Sequence, residues 1–200
     1  MIKGPHIPMC TACDRRGAWT GFAYACPVCD ALLLDNGGPG ENLLGVTKAQ
    51  IIEYARSLLG VKYVHLGRSV NNGLDCIGLL RAVAQKYDLS SHDFRNYPPS
   101  ADGRTLIREL DKAFGVDTGY TPGMPILPYE PGDVLVFWIR RKTRPMHAGI
   151  FIRMSDGRPG LLHTYATLGK VSAHGLNEWW SSRLCKVYKW PGVEDEGEVE

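Results

Sequence analysis

Six cysteines and six histidines carry most of the nucleophilic and metal-ligating capacity of this 200-residue chain, and the spacing of the cysteines separates two kinds of chemistry. Cys10-Thr11-Ala12-Cys13 and Cys26-Pro27-Val28-Cys29 are two C-x-x-C knuckles separated by twelve residues. Each knuckle sets two sulfurs on one side of a tight turn, so four thiolates can close a tetrahedral Zn2+ site, with an iron–sulfur cluster as the alternative occupant. Trp19, Phe22 and Tyr24, spaced by Gly17 and Gly21, suggest a short hairpin of zinc-ribbon type between them. So few apolar residues lie here that metal binding would supply most of the folding free energy, on the order of 10 kcal/mol. Sulfurs saturated in this way are structural, and a nucleophile has to be sought elsewhere.

Cys76 is that candidate. In Gly73-Leu74-Asp75-Cys76-Ile77-Gly78-Leu79-Leu80 a turn runs straight into an apolar pattern, Leu79, Leu80, Val83 and Tyr87, which is one face of a helix. A cysteine at the start of that helix meets unsatisfied N–H groups and the positive end of the dipole, which favour a thiolate, and a neighbouring protonated histidine would lower its pKa further. The alternative is a buried cysteine acting as a small hydrophobe, which is also the reading for Cys185 beside Val187. Asp75 is expected to hold the turn through bonds to backbone N–H groups rather than to enter the chemistry. Downstream, residues 132–138, 146–152 and 161–165 read as strands, the second carrying His147 and the third His163. His174 sits in what reads as a polar turn and is the competing candidate for a third site residue, while His65 reads first as a surface residue and second as a candidate for the substrate cleft.

Asp75-Cys76-x-Gly78-Leu79, then Gly132-Asp133-x-Leu135-x-Phe137, then His147-Ala148-Gly149-Ile150-Phe151-Ile152, then His163 together resemble the NlpC-type papain-like cell-wall peptidases, over roughly residues 47–190. The resemblance implies an α+β papain-like fold with helices packed on an antiparallel sheet, here preceded by the small zinc-ribbon-like segment. It implies Cys76 as nucleophile, His147 as base, His163 as the polar residue that orients His147, and Tyr63 as a hydroxyl that helps bind the oxyanion. The implied substrate is a peptidoglycan stem peptide, cut at a γ-D-glutamyl to diamino-acid bond. Two departures bear on substrate detail: Ile77 stands where members often have Ser, and Tyr63-Val64-His65-Leu66-Gly67-Arg68 stands where they often have Tyr-x-Tyr-Gly-Gly. The Gly67-Arg68 form resembles the variant in tailed-phage tail proteins, which implies other tail proteins as partners. Two readings compete with a peptidase: an inactive structural subunit of tail assembly, and a cytoplasmic thiol hydrolase acting on another amide or ester.

The elements that must position these residues follow from the rest of the chain. Residues 1–35 form the metal-binding segment, and the Gly/Pro/Asn-rich 36–46 is a linker. Residues 47–190 are the hydrolase domain, and 191–200 an acidic tail expected to be solvated and disordered. Thr47-Lys48-Ala49-Gln50 has capping-box form and opens a helix faced by Ile51, Ile52, Ala55, Leu58 and Leu59 and stopped by Gly60. Residues 88–103 read as a surface loop, 105–114 as a short helix with Leu106, Ile107, Leu110 and Phe114 inward, and 115–132 as mostly irregular. Trp179, Trp180, Val187 and Trp190 are expected to close the core against the sheet, with an aromatic carbohydrate platform as the alternative. Arg140, Arg141, Lys142 and Arg144 form a basic tip between two strands, read first as a solvated hairpin loop and otherwise as a clamp for substrate carboxylates or a docking point for a neighbouring subunit.

The net charge is +2, yet five acids fall in the last seven residues, and without them 16 acids face 23 Lys and Arg. A mildly basic body suits an anionic polymer such as cell wall, and no groove-reading motif points to nucleic acid. No run of 18 apolar residues occurs, so no membrane span is expected. The first residues lack the apolar run of a signal peptide, so the sequence predicts synthesis in the cytoplasm without export; the wall substrate and tail variant that the resemblance implies would then require delivery to the wall or periplasm by a virion tail.

Overall fold

A computed structural model describes residues 18–19, 24–25, 32–33, 45–98, 103–116, 125–126, 128–139 and 144–194. The chain divides into two compact units, Met1–Gly45 and Val46–Glu200. In the first, β1 (Ala18–Trp19), β2 (Tyr24–Ala25) and β3 (Leu32–Leu33) form a small antiparallel sheet in which Trp19 lies opposite Tyr24. That is the hairpin the aromatic and glycine spacing predicts. Cys10, Cys13, Cys26 and Cys29 lie outside the described residues.

The second unit opens with β4 (Val46–Thr47) and α1 (Lys48–Ser57). The capping box is formed in both directions: Gln50 N–H reaches Thr47 Oγ1 at 3.3 Å, and Thr47 N–H reaches Gln50 Oε1 at 2.9 Å. β5 (Arg68–Ser69) and β6 (Gly73–Leu74) make a short hairpin that delivers the chain into α2 (Cys76–Lys86). Asp75 caps α2, its Oδ1 accepting from Gly78 N–H at 2.8 Å. A side chain at Gly78 would run into the carbonyl of Gly67, so glycine is what lets the first turn of α2 lie against the preceding loop. α3 (Gly103–Phe114) follows, two residues longer at its start than the pattern predicts, with Leu106, Ile107, Leu110 and Phe114 all buried.

The rest is a five-stranded antiparallel sheet built from β7 (Val134–Trp138), β8 (Pro145–Arg153), β9 (Pro159–Thr164), β10 (Val171–Gly175) and β11 (Leu184–Tyr188), in the order β10-β9-β8-β7-β11. A 3-10 turn (Ala166–Leu168) links β9 to β10, and the single-turn helix α4 (Glu178–Ser181) precedes β11. β12 (Val193–Glu194) pairs with β4. Alternation along the strands splits the apolar side chains between two clusters. Val134, Val136, Ala148, Ile150, Ile152 and Leu162 meet α1, α2 and α3 in the larger one. Leu135, Phe137, Phe151 and Leu161 meet Trp180 and Val187 in the smaller one. This is the α+β arrangement of helices on an antiparallel sheet that the sequence predicts.

Two expectations are corrected. His174 lies on the edge strand β10 and not in a turn: Val171 to Gly175 pair residue by residue with β9, and a polar outer edge gives no apolar alternation to read. Trp179 is 44 % exposed, because neighbouring positions on a single helical turn point apart; its ring lies under the Arg183 guanidinium, 4.0 Å from the centroid. Trp180, Val187 and Trp190 are buried as expected. In the basic tip only Arg144 is described, and it is exposed. Among the described residues no helix is long and apolar enough to cross a membrane.

Candidate active site

Cys76 is the first residue of α2, and the backbone N–H groups of Ile77 and Ala148 point at its sulfur. The thiol therefore meets β8 at Ala148, and Cys76 and His147 line one cleft. His147 and Phe137 are partners across β8 and β7. His163, on β9, reaches across to His147, its Nδ1 2.7 Å from His147 Nε2. Gly149 makes that approach possible, since a Cβ there would stand 2.8 Å from the Cβ of His163. The ring nitrogen of His147 that His163 does not engage is Nδ1. His174 joins from β10, its Nε2 2.9 Å from His163 Nε2, and its Nδ1 2.9 Å from the carbonyl oxygen of Gly175. His163 and His174 are thus consecutive members of one chain and not competitors for one position. Trp180 walls this chain, its ring centroid 5.5, 4.9 and 5.8 Å from those of His147, His163 and His174.

Burial, with the nearby His163 and His174, holds the basicity of His147 well below that of an ordinary histidine. Burial and His174 hold His163 down to about 3. The Cys76 thiol is pushed up to about 12 by burial of its sulfur and by the Asp75 carboxylate, which outweigh the two N–H groups and Arg68. Burial and Asp75 thus work against the thiolate expected at a helix start.

The cleft over Cys76 has a volume of about 480 Å3 and is lined by Tyr63, His65, Tyr97, Met146, His147 and Tyr165 among others. Tyr63 is close enough to Cys76 for the two charges to interact; burial first, then Cys76, Asp75 and Tyr165, raise its pKa and keep the phenol a hydrogen-bond donor. His65 takes the second of its two readings and stands in this wall, with its ring edge-on to Tyr97 at 5.6 Å. The segment before Pro98, expected as a surface loop, is pinned to the cleft. Arg68 donates to Asp93 Oδ1 at 2.8 Å, to the Phe94 carbonyl at 2.8 Å and to the Tyr97 hydroxyl at 2.8 Å, and pairs with Asp75 Oδ1 at 3.0 Å. Tyr97 O–H donates to Asp75 Oδ2 at 2.5 Å, and Leu66 N–H to the same oxygen at 2.8 Å. A buried guanidinium needs acceptors on every side, and the 93–97 segment supplies those that Asp75 does not. Asp75 is thus structural, as its turn position predicts. Arg68, Tyr97 and Tyr165 were not legible as site residues.

Among the described residues no cluster of three or more His, Cys, Asp or Glu is arranged to hold a metal. Cys185 is buried, its sulfur 3.3 Å from the Val136 carbonyl oxygen.

The NlpC/P60 family profile matches residues 60–189, and the chain belongs to the NlpC/P60 family. It is similar to the gamma-DL-glutamyl hydrolase of Bacillus subtilis (strain 168), at 26 % identity over 144 residues, which is 72 % of this chain and 29 % of that protein. The chain thus spans less than a third of the length of that relative. An NlpC/P60 family protein from Bacillus cereus ATCC 10987 superposes with a TM-score of 0.54 at 16 % identity, covering 88 % of this chain and 54 % of the other. A lipoprotein-like NLP/P60 protein from Staphylococcus aureus subsp. aureus Mu50 gives a TM-score of 0.45 at 17 % identity, over 72 % and 40 %.

Proposed function

We propose that this chain is a cysteine peptidase that hydrolyses an amide bond in peptidoglycan stem peptides, between the γ-D-glutamyl residue and the diamino acid. The observation that carries the reading is Cys76 at the start of α2, lining one cleft with His147, whose far nitrogen is already held by His163. Cys76 attacks the carbonyl carbon while His147 Nδ1 takes the thiol proton. The oxyanion is met by the backbone N–H of Cys76 and the Tyr63 hydroxyl. His147 then returns the proton to the leaving amine, and water releases the acyl group from sulfur. His163 keeps Nδ1 facing the thiol and steadies the imidazolium. The choice of bond is supported by the γ-DL-glutamyl hydrolase named among the relatives.

The setting proposed is a phage tail, with other tail proteins as partners, on the resemblance of the 63–68 segment; the four N-terminal cysteines are proposed to hold structural Zn2+. The test is mass spectrometry of muropeptides recovered after incubation with the full chain, with Cys76→Ser as control. Products ending at γ-D-glutamate, absent with the variant, are expected. Intact muropeptides from folded protein would overturn the reading in favour of a structural tail subunit, and hydrolysis only of other amides or esters in favour of a general thiol hydrolase.

A further inference from the structure

The chain of rings His147, His163 and His174 ends on a group with only one possible role. A backbone carbonyl accepts hydrogen bonds and never donates them, so the contact of His174 Nδ1 with the Gly175 oxygen at 2.9 Å places a proton on Nδ1. A neutral imidazole has one donor and one acceptor, so in its neutral form His174 has a lone pair at Nε2, which receives the proton of His163 Nε2, 2.9 Å away. His163 Nδ1 is then a lone pair and receives the proton of His147 Nε2 at 2.7 Å. What remains on His147 is a lone pair at Nδ1, the nitrogen left for Cys76. The opposite polarity would turn the His174 Nδ1 lone pair toward a carbonyl and would place N–H, not a base, at His147 Nδ1.

We propose that His174 is a positioning residue, which through His163 fixes the one tautomer of His147 that can take the proton of Cys76. The proposal rests on Cys76 and His147 being the reacting pair. Neither His163 nor His174 lines the cleft, so the effect acts on the chemical step and not on substrate binding. His163 alone does not accomplish it, because a neutral histidine at 163 can hold either tautomer unless its Nε2 is instructed. Trp180 and the neighbouring strands fix where the rings lie; the Gly175 carbonyl, acting through His174, fixes which way their protons point.

Three substitutions in the full chain separate this from a packing role. His174→Gln keeps an acceptor for His163 Nε2–H, His174→Ala removes it, and His174→Lys offers only donors and so reverses the demand on His163. Nitrogen-15 NMR of the histidine side chains reads which ring nitrogen carries hydrogen. The wild type is expected to show His147 and His163 protonated at Nε2; His174→Gln to keep that state; His174→Ala to show a mixture; His174→Lys to shift both to Nδ1. Alkylation of Cys76 by iodoacetamide and, for active protein, kcat are expected to fall in the order Gln, Ala, Lys, with roughly 100-fold or more lost in the last and KM unchanged. Unchanged tautomers at His147 in the Ala and Lys variants, or equal losses in Gln and Ala, would overturn the proposal. Should His174→Lys fail to fold, the Gln and Ala pair still decides. The NMR and alkylation readouts need no peptidoglycan, so protein with the expected tautomers that leaves muropeptides intact counts against the substrate and not against His174.

Discussion

Replacing Asp75 should move stability and thiol reactivity in opposite directions. Its two oxygens take four hydrogen bonds, from Gly78 N–H, Arg68, Leu66 N–H and Tyr97 O–H. Asp75→Ala removes a helix cap worth about 1 kcal/mol and a charge-assisted bond to Arg68 worth about 2 kcal/mol. It also strands the Leu66 N–H, in a residue whose φ of 60° is a left-handed strain that Asp75 holds in place. Arg68 keeps Asp93, which limits the loss, and the sum is about 4 kcal/mol. Asp75→Asn keeps one acceptor, for Gly78, and turns an amide N–H2 toward donors, for a cost of about 2 kcal/mol. The carboxylate also raises the pKa of the Cys76 thiol, so removing its charge should make the sulfur easier to ionise. Urea unfolding followed by circular dichroism and iodoacetamide alkylation rates at pH 8 to 9 are the paired assays. The reasoning fails if Asp75→Asn unfolds within about 0.5 kcal/mol of the wild type, or if its Cys76 reacts more slowly.

Four further outcomes are expected. Cys76→Ala should abolish hydrolysis with the circular dichroism spectrum intact, whereas Cys185→Ala should lower stability by about 1 to 3 kcal/mol and leave the rate nearly unaltered; the reverse pattern would move the nucleophile. His163→Ala should lose roughly 30- to 1000-fold in rate and His163→Asn less, because the amide oxygen still accepts from His147 Nε2–H; equal rates would remove the orienting role. The buried histidines should make the fold acid-sensitive: below pH 6.5 the unfolded chain binds protons that neutral His163 refuses until about pH 3. Stability then falls as pH falls, by up to about 1.4 kcal/mol per pH unit for that one group, and urea midpoints at pH 7, 6 and 5 should show a shallower slope in His163→Asn. Purified protein should contain about one Zn per chain, and a strong chelator should unfold residues 1–35 while the second unit stays folded; iron with visible absorbance would replace zinc by a cluster, and four titratable thiols in metal-free protein would remove the site.

Local chemistry made part of this architecture readable. The capping box at Thr47 and Gln50 and the apolar face after Cys76 are periodic signals within a few residues, and both helices form where those signals place them. His147 and His163 could be placed because each stands in a strand with apolar neighbours. His174 could not: an edge strand with one partner and half-exposed residues carries no alternation, and its role exists only through a ring eleven residues away in sequence. Arg68 and Tyr97 were hidden for a related reason. A buried ion network is assembled from groups far apart in the chain, 29 residues for that pair, and nothing local to either residue announces the other.

Cys76 and the three histidines belong to different layers. Cys76 rides on α2 and packs with the helix-side cluster, while His147, His163 and His174 are held within the strand ladder and against Trp180. Their register relies on the helices staying docked, a weaker constraint than the hydrogen-bonded ladder itself. Heat or denaturant is therefore expected to part Cys76 from His147 while the sheet is still whole, a separation that thiol alkylation would register before the strands melt.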